Sequence, residues 1–414
     1  MRVLIHGLNY APEKVGVGRY TGEMAEWLAQ QGHEVRVVTA PPYYPEWRVG
    51  EGYSPRSYRC EELNGVEVWR CPLWVPDRPS GVKRLLHLLS FAVSSVPVML
   101  RQARWRPDVV IMVEPTLFCL PPAWVTARLS GAPLWVHVQD FELEAALELG
   151  ILQRSGVRRL FYSTEKALLR GADRLSTITE TMRRRVVEKG VSPERAVVSP
   201  NWSDIRFLRP LEPEAPVRSE FGAKPGETLV MYAGNMGEKQ GLEVVLDAAE
   251  RLRGREGIEF ALIGAGAARE RLERDATERG LDNVRFFPLQ PSERLPEVLA
   301  AGDIHLVVQR RGAADLVMPS KLTNILAAGR AAVATADPGT ELYRVLTERG
   351  CGIPTTPESA GELTRAIEKL AGDAEERGRL GNNARRYAEE HLDKEKILRR
   401  FEQELTELCR EKPA

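Results

Sequence analysis

Long apolar runs, paired cysteines and a surplus of either charge are all missing from this chain of 414 residues. The five cysteines, at positions 60, 71, 119, 351 and 409, show no metal-ligand spacing, and a disulfide framework is not expected in so large a chain. The six histidines include no H-x-x-x-H pair, so no metal site is expected. Lysine plus arginine equals aspartate plus glutamate at 58 each, which argues against a general nucleic-acid binder. The longest apolar stretch, Leu85 to Leu100, holds His87, three serines and Pro97, and is too short and polar for a confident membrane span. No signal peptide is expected, since Val3 to Ile5 reads as a buried strand, and a cytoplasmic protein is expected. There is no Walker A motif and no G-x-S-x-G elbow, which sets aside a P-loop nucleotidase and a serine hydrolase. One absence is local: residues 83–106 carry Lys83, Arg84, Arg101, Arg104 and Arg106 and no acid.

What is present is alternation. Short β-branched runs (Val3–His6, Val35–Thr39, Val109–Val113, Leu134–Val138) are separated by helical periodicity. The pattern restarts at Leu229–Ala233, Glu259–Ile263, Val284–Phe287, Ile304–Val308 and Ala331–Thr335. The length exceeds what one core usually supports. The class expected is α/β, with two doubly wound Rossmann-like domains facing across a cleft: 1–205, a proline-rich linker 206–226, 227–385, and a helical tail 386–414. Ligands of such sheets sit at the carboxyl ends of the strands.

The segment Met318–Gly329 stands out. It follows a strand and starts a helix, with Pro319 suited to the first turn and Gly329 to the end. Free N–H groups, the Ser320 hydroxyl and the Lys321 ammonium converge at the helix start, which suits a phosphate; a capped helix with a surface lysine is the other reading. Gly234-Asn235-Met236-Gly237 forms a strand-to-helix turn followed by Lys239 and Gln240. Gly264-Ala265-Gly266 forms another, for which a structural role is favoured over ligand contact. Gly16 and Gly18 permit close approach to a ligand, or simply start a helix. Gly16-Val17-Gly18 with Gly22 fits a dinucleotide fingerprint poorly. His137, Gln139, Asp140 and Glu142 end a strand; Asp140 and Glu142 suit orienting a hydroxyl or taking its proton, while His137 reads more readily as a core histidine.

Gly16–Thr21, Gly32–Val35, Val138–Asp140, Tyr232–Leu242 and Pro319–Gly329 together resemble the GT4 family of retaining glycosyltransferases, whose fold is GT-B. The exopolysaccharide enzymes of the colanic-acid type are most similar. The resemblance implies a nucleotide-diphosphate sugar held mainly by the second domain, an acceptor on the first, and a C-terminal helix returning to the first. It places Gly16, Gly18, Gly234, Asn235, Met236, Gly237, Lys239, Gln240, Gly264, Pro319, Ser320 and Lys321 about the diphosphate, Phe287 and Leu289 about the base, and Asn324 at the ribose. Tyr10, His137, Gln139 and Asp140 fall on the acceptor side. The family's Glu-x7-Glu pair is absent: Asn324 stands for the second glutamate and the first falls near Leu316. The family's phosphate-binding Arg/Lys pair appears as Asn235 and either Lys239 or Gln240, and that loss of cationic groups places more of the diphosphate's charge on Lys321, with Arg310 and Arg311 as further candidates.

The implied reaction is retaining transfer from a UDP-sugar, or a GDP-sugar as second choice, to a saccharide or polyprenyl-pyrophosphate-linked acceptor. Lys321 and helix-start N–H groups stabilise the leaving phosphate, Asp140 and Glu142 serve the acceptor, and no cofactor or essential metal is expected. A nucleotide-sugar epimerase and a non-catalytic nucleotide-sugar-binding scaffold are the alternatives. The leucine-rich, basic segment 82–106 reads either as a core helix or as an interfacial helix meeting anionic lipid at the inner face of the plasma membrane.

Overall fold

The structure, a computed structural model, describes residues 1–13, 16–77, 81–141, 155–255, 257–311 and 318–411. The chain divides into two compact units, Met1–Pro200 with Leu398–Ala414, and Asn201–Ile397.

The first unit is built on eight strands: β1 (Arg2–Gly7), β2 (Glu34–Thr39), β3 (Arg59–Leu63), β4 (Val66–Arg70), β5 (Val109–Glu114), β6 (Leu134–Val138), β7 (Arg174–Thr177) and β8 (Ala196–Val198). Their order is β3-β4-β2-β1-β5-β6-β7-β8. All neighbours run parallel except β3 and β4. Helices cover both faces of a parallel sheet, so its central strands are buried on both sides. Accordingly β5 and β6 are buried at every residue. β3 was not expected, because Arg59-Cys60-Glu61-Glu62-Leu63 lacks strand composition; it is an exposed antiparallel edge, where charged side chains are common. The order reverses between β1 and β5, which open a crevice at their carboxyl ends.

The second unit holds six parallel strands: β9 (Thr228–Ala233), β10 (Ile258–Ile263), β11 (Val284–Phe287), β12 (Ile304–Val307), β13 (Ala331–Thr335) and β14 (Gly352–Thr355). Their order is β11-β10-β9-β12-β13-β14, so the reversal falls between β9 and β12. The turn Gly234–Gly237 leaves β9, and the helix Ser320–Ala327 follows β12. The core lies on the two sheet faces, one under the helices Glu243–Leu252 and Ala360–Ala371, the other under Ser320–Ala327 and Ala374–His391.

The expected linker 206–226 differs. Its proline content masks the helix Ala215–Glu220, and Phe221 and Ala223 are buried in the second unit's core. Arg218 pairs with Asp303 at 2.8 Å and donates to the carbonyls of Ala301 and Glu227, both at 2.7 Å. The tail also differs: Ala374–His391 belongs to the second unit, and only the last helix, Lys394–Glu411, joins the first from Leu398 onward. There Phe401 meets Trp135 edge-on at 5.0 Å and Glu402 pairs with His33 at 2.8 Å.

Candidate functional site

In the second unit, Tyr232 is the penultimate residue of β9 and is fully buried, packed in the core beneath the helix Glu243–Leu252. Its hydroxyl donates to the carbonyl of Asn235 at 2.5 Å, pulling the following turn back over the strand. The same oxygen accepts from Lys321 Nζ at 2.7 Å, and the ammonium lies 4.3 Å above the Tyr232 ring. Lys321 is therefore directed back across the strand ends towards the β9 turn, and its Nζ would lie 3.4 Å from a Cβ placed on Gly234. Burial pushes its ammonium down to about 8. No ion pair to Lys321 occurs among the described residues, so an anion would find it unneutralised.

The helix carrying Lys321 starts one residue later than expected. Pro319 adopts extended backbone as the N-cap, and Ser320, exposed, is the first helical residue. Leu322, Ile325 and Leu326 bury the opposite face. Gly329, with φ +66°, ends the helix as expected, and Arg385 donates to the Ala327 carbonyl at 2.7 Å. Asn324 Oδ1 accepts from the buried Ser203 hydroxyl at 3.3 Å, which orients it.

The turns after β9 and β10 are pressed together. Met236 N donates to the Ala265 carbonyl at 2.8 Å, and a Cβ on Gly264 would lie 1.9 Å from the Gly234 oxygen. Gly264 is thus a packing residue beneath the Gly234 turn, and the Met236 side chain lies in the core. Asn235 and Lys239 are exposed, while Gln240 accepts from Gly237 N at 3.1 Å and braces the turn. Arg310 is committed elsewhere: it donates to the Glu238 carbonyl at 2.8 Å and to Glu243 at 3.1 Å. Arg311 is exposed and 3.9 Å from Asp337. Phe287 packs edge-on against Phe221 at 5.2 Å, whereas Leu289 is exposed. Arg269 bonds the carbonyls of Gly264 and Phe287, fixing both turns.

In the first unit the expected residues separate. Gly16 has φ +58° at the start of the helix Gly16–Gln30. Gly18 is required by Glu13, whose Oε2 would lie 2.5 Å from a Cβ at that position. The buried Glu13 carboxylate accepts from Tyr43 N, Tyr44 N and Asn9 Nδ2, and burial raises its affinity for a proton. Glu13 was not singled out from the sequence, since it reads as a loop acid; only its partners distinguish it. Tyr10, expected on the acceptor side, is instead buried beside the Arg70 guanidinium, 5.7 Å from it. His137 is likewise internal: it shares the Ser176 hydroxyl with Trp135 at 2.7 Å each and faces Phe401. Burial pushes its imidazole down to about 4. Gln139 is buried and Asp140 partly exposed at the end of β6; Glu142 lies outside the described residues. Among the described residues no cluster of three or more His, Cys, Asp or Glu side chains suits a metal ion.

The helix Gly81–Ala103 resolves the two readings of that segment into two faces. His87, Phe91, Ser95 and Met99 are buried, whereas Val82, Leu86, Leu89, Val93 and Leu100 are 42–65% exposed. By length and composition the helix could cross a membrane.

Two family models cover most of the chain: a glycosyl transferase 4-like domain over residues 15–202 and glycosyl transferases group 1 over 215–387. The putative colanic acid biosynthesis glycosyl transferase WcaI of Escherichia coli K12 is 49% identical over 407 residues, 97% of this chain and 98% of its own. Among solved structures, sucrose-phosphate synthase from Thermosynechococcus elongatus is similar with a TM-score of 0.75 at 18% identity, covering 98% of both chains. Anabaena HepE, solved in complex with UDP, is similar with a TM-score of 0.73 at 16% identity, covering 98% of this chain and all of its own. Two parallel-sheet α/β units, matched end to end by GT-B structures, and a full-length relative at this identity lead to one conclusion: the chain belongs to the GT4 family of glycosyltransferases.

Proposed function

We propose that the protein transfers a sugar, with retention of configuration, from a nucleotide-diphosphate sugar to a lipid-linked saccharide during surface or exopolysaccharide synthesis. The observation that supports this most is Lys321: a half-buried ammonium without a carboxylate partner among the described residues, beside a glycine turn at the β9–β12 switch point. Breaking the sugar–phosphate bond builds negative charge on the β-phosphate. Lys321 and the N–H groups at the start of its helix would stabilise that charge, with Ser320 as a hydroxyl donor. Asn324 would bond the ribose, and Leu289 would border the base. Asp140 and Glu142 would serve the acceptor hydroxyl, with Gln139 next to Asp140 in the chain. UDP is the first choice of nucleotide and GDP the second; the complexes of HepE with UDP and with UDP-glucose favour the former. The name of the E. coli relative favours an exopolysaccharide product.

The exposed apolar stripe of Gly81–Ala103, flanked by Lys83, Arg101 and Arg104, suits a helix lying in an anionic membrane surface. Because its other face is core, the helix would lie in the interface without crossing it. This fits a lipid-linked acceptor and a place at the inner face of the plasma membrane.

A thermal-shift screen of UDP-, GDP- and dTDP-sugars, followed by transfer to a polyprenyl-pyrophosphate-linked sugar, tests the reading. Stabilisation by one nucleotide class and formation of a glycosidic bond are expected. Binding without transfer across a broad acceptor panel would favour a scaffold, and conversion of the free sugar nucleotide would favour an epimerase.

A further inference from the structure

Tyr232 precedes the β9 turn and begins one of the segments that carry the family resemblance, yet the sequence assigns it no role of its own. We propose that Tyr232 is a positioning residue for the transfer: its hydroxyl registers the Lys321 ammonium against the Gly234–Gly237 turn, so that both meet the leaving diphosphate together. This rests on the reading that Lys321 and the turn receive that diphosphate.

The donor inventory sets the direction of the relay. An ammonium has three N–H donors and no acceptor, whereas a phenol has one donor and accepts as well. Lys321 must therefore donate to the Tyr232 oxygen, at 2.7 Å, and the phenol proton goes to the Asn235 carbonyl, at 2.5 Å. One oxygen thus ties a side chain that follows β12 to a backbone turn that follows β9. The ring cannot drift, being fully buried within the sheet's core. With one N–H spent on Tyr232, two remain for an anion. Arg310 and Arg269 are poor substitutes, since Arg310 is held by the Glu238 carbonyl and Glu243 and Arg269 by two carbonyls and Glu273; Lys239 is exposed and lacks the buried setting of Lys321. Burial lowers the proton affinity of Lys321, and the phenol oxygen partly offsets this by accepting from the charged form.

The test is calorimetric titration of UDP into the wild type, Tyr232→Phe, Lys321→Met and the double variant, from pH 7 to 9.5. Phenylalanine keeps the ring and removes only the oxygen. Y232F is expected to bind UDP about ten-fold more weakly at pH 7, with the alkaline loss of affinity displaced to lower pH, because the ammonium has lost an acceptor. In the Lys321→Met background the same change is expected to alter affinity less than about two-fold, since Tyr232 acts through Lys321. Wild-type affinity and an unmoved alkaline limb in Y232F would overturn the inference, as would an equal loss in both backgrounds. Should Y232F not fold, Lys321→Arg is the second variant. It keeps the charge but cannot keep the same single bond to Tyr232, so several-fold weaker binding is expected, and unchanged affinity would overturn the inference. Wild-type protein that binds neither UDP nor GDP would instead overturn the proposed function. Wild-type binding that Lys321→Met abolishes and Y232F leaves intact overturns only the positioning role.

Discussion

Gly264 shows how little room the turns after β9 and β10 leave. A methyl group there would overlap the Gly234 oxygen, at 1.9 Å, and the backbone has φ +156°. Gly264→Ala should destabilise the second unit by on the order of 3 kcal/mol and displace the Gly234 turn. Denaturant unfolding checks the first effect and UDP affinity the second; an alanine variant with wild-type stability would contradict the packing described. At this scale the sequence was legible where chemistry and spacing coincide. Lys321 and Ser320 follow a strand and start a helix, and their place could be read directly. Tyr232, Glu13 and Arg269 could not, because their roles consist of partners set by the fold: a lysine 89 residues away, two amides about 30 residues away, and the carbonyls of two separate turns. His137 is the core histidine that its strand position favours, whereas Tyr10 is internal against the acceptor-side expectation. A place in the loop after β1 suggests access for Tyr10, but the Arg70 guanidinium lies over its ring.

Among the elements, buried parallel strands were plain in the sequence because continuous apolar runs encode them. The polar edge β3 and the short β14, which contains Pro354, were not, since edge strands need not be apolar throughout and can carry proline. The helix Gly81–Ala103 was ambiguous for a sound reason: it is apolar on both faces, one buried and one exposed. The exposed face yields a test. Leu86→Glu with Val93→Glu changes side chains 50% and 62% exposed, so thermal stability should hold within a few degrees. Flotation with vesicles containing anionic lipid should fall at least ten-fold. Equal flotation of variant and wild type, or none by either, would remove the membrane assignment.

At the scale of the molecule, the buried histidines set its response to acid. His6, His87 and His137 in the first unit are pushed down to about 3, 4 and 4, and His305 in the second to about 4, all chiefly by burial. Between pH 6.5 and these values the unfolded chain binds more protons than the folded one, so stability falls with falling pH and is unaffected by these groups above about 7. Each contributes a slope of up to about 1.4 kcal/mol per pH unit. Glu13 works in the opposite direction, as one group against three. The first unit should therefore lose structure before the second near pH 5, read by hydrogen exchange of β1 and β6 against β9 and β12; simultaneous loss would contradict this. The division into units was only partly legible, because proline-rich 206–226 looked like a linker while Phe221 and Arg218 tie it into the second core.

The central claim is that the second unit holds the donor diphosphate on Lys321, and UDP titration of the wild type and Lys321→Met across pH tests it most directly. Burial pushes the Lys321 ammonium down to about 8, and a bound diphosphate would raise that value. Wild-type affinity should therefore be constant from pH 7 to about 8 and then fall by up to ten-fold per unit, with proton uptake on binding. Lys321→Met should bind at least about thirty-fold more weakly at pH 7, a loss of roughly 2 kcal/mol, and show no such fall. Equal affinity in the two proteins, or an alkaline fall that persists in Lys321→Met, would contradict the account.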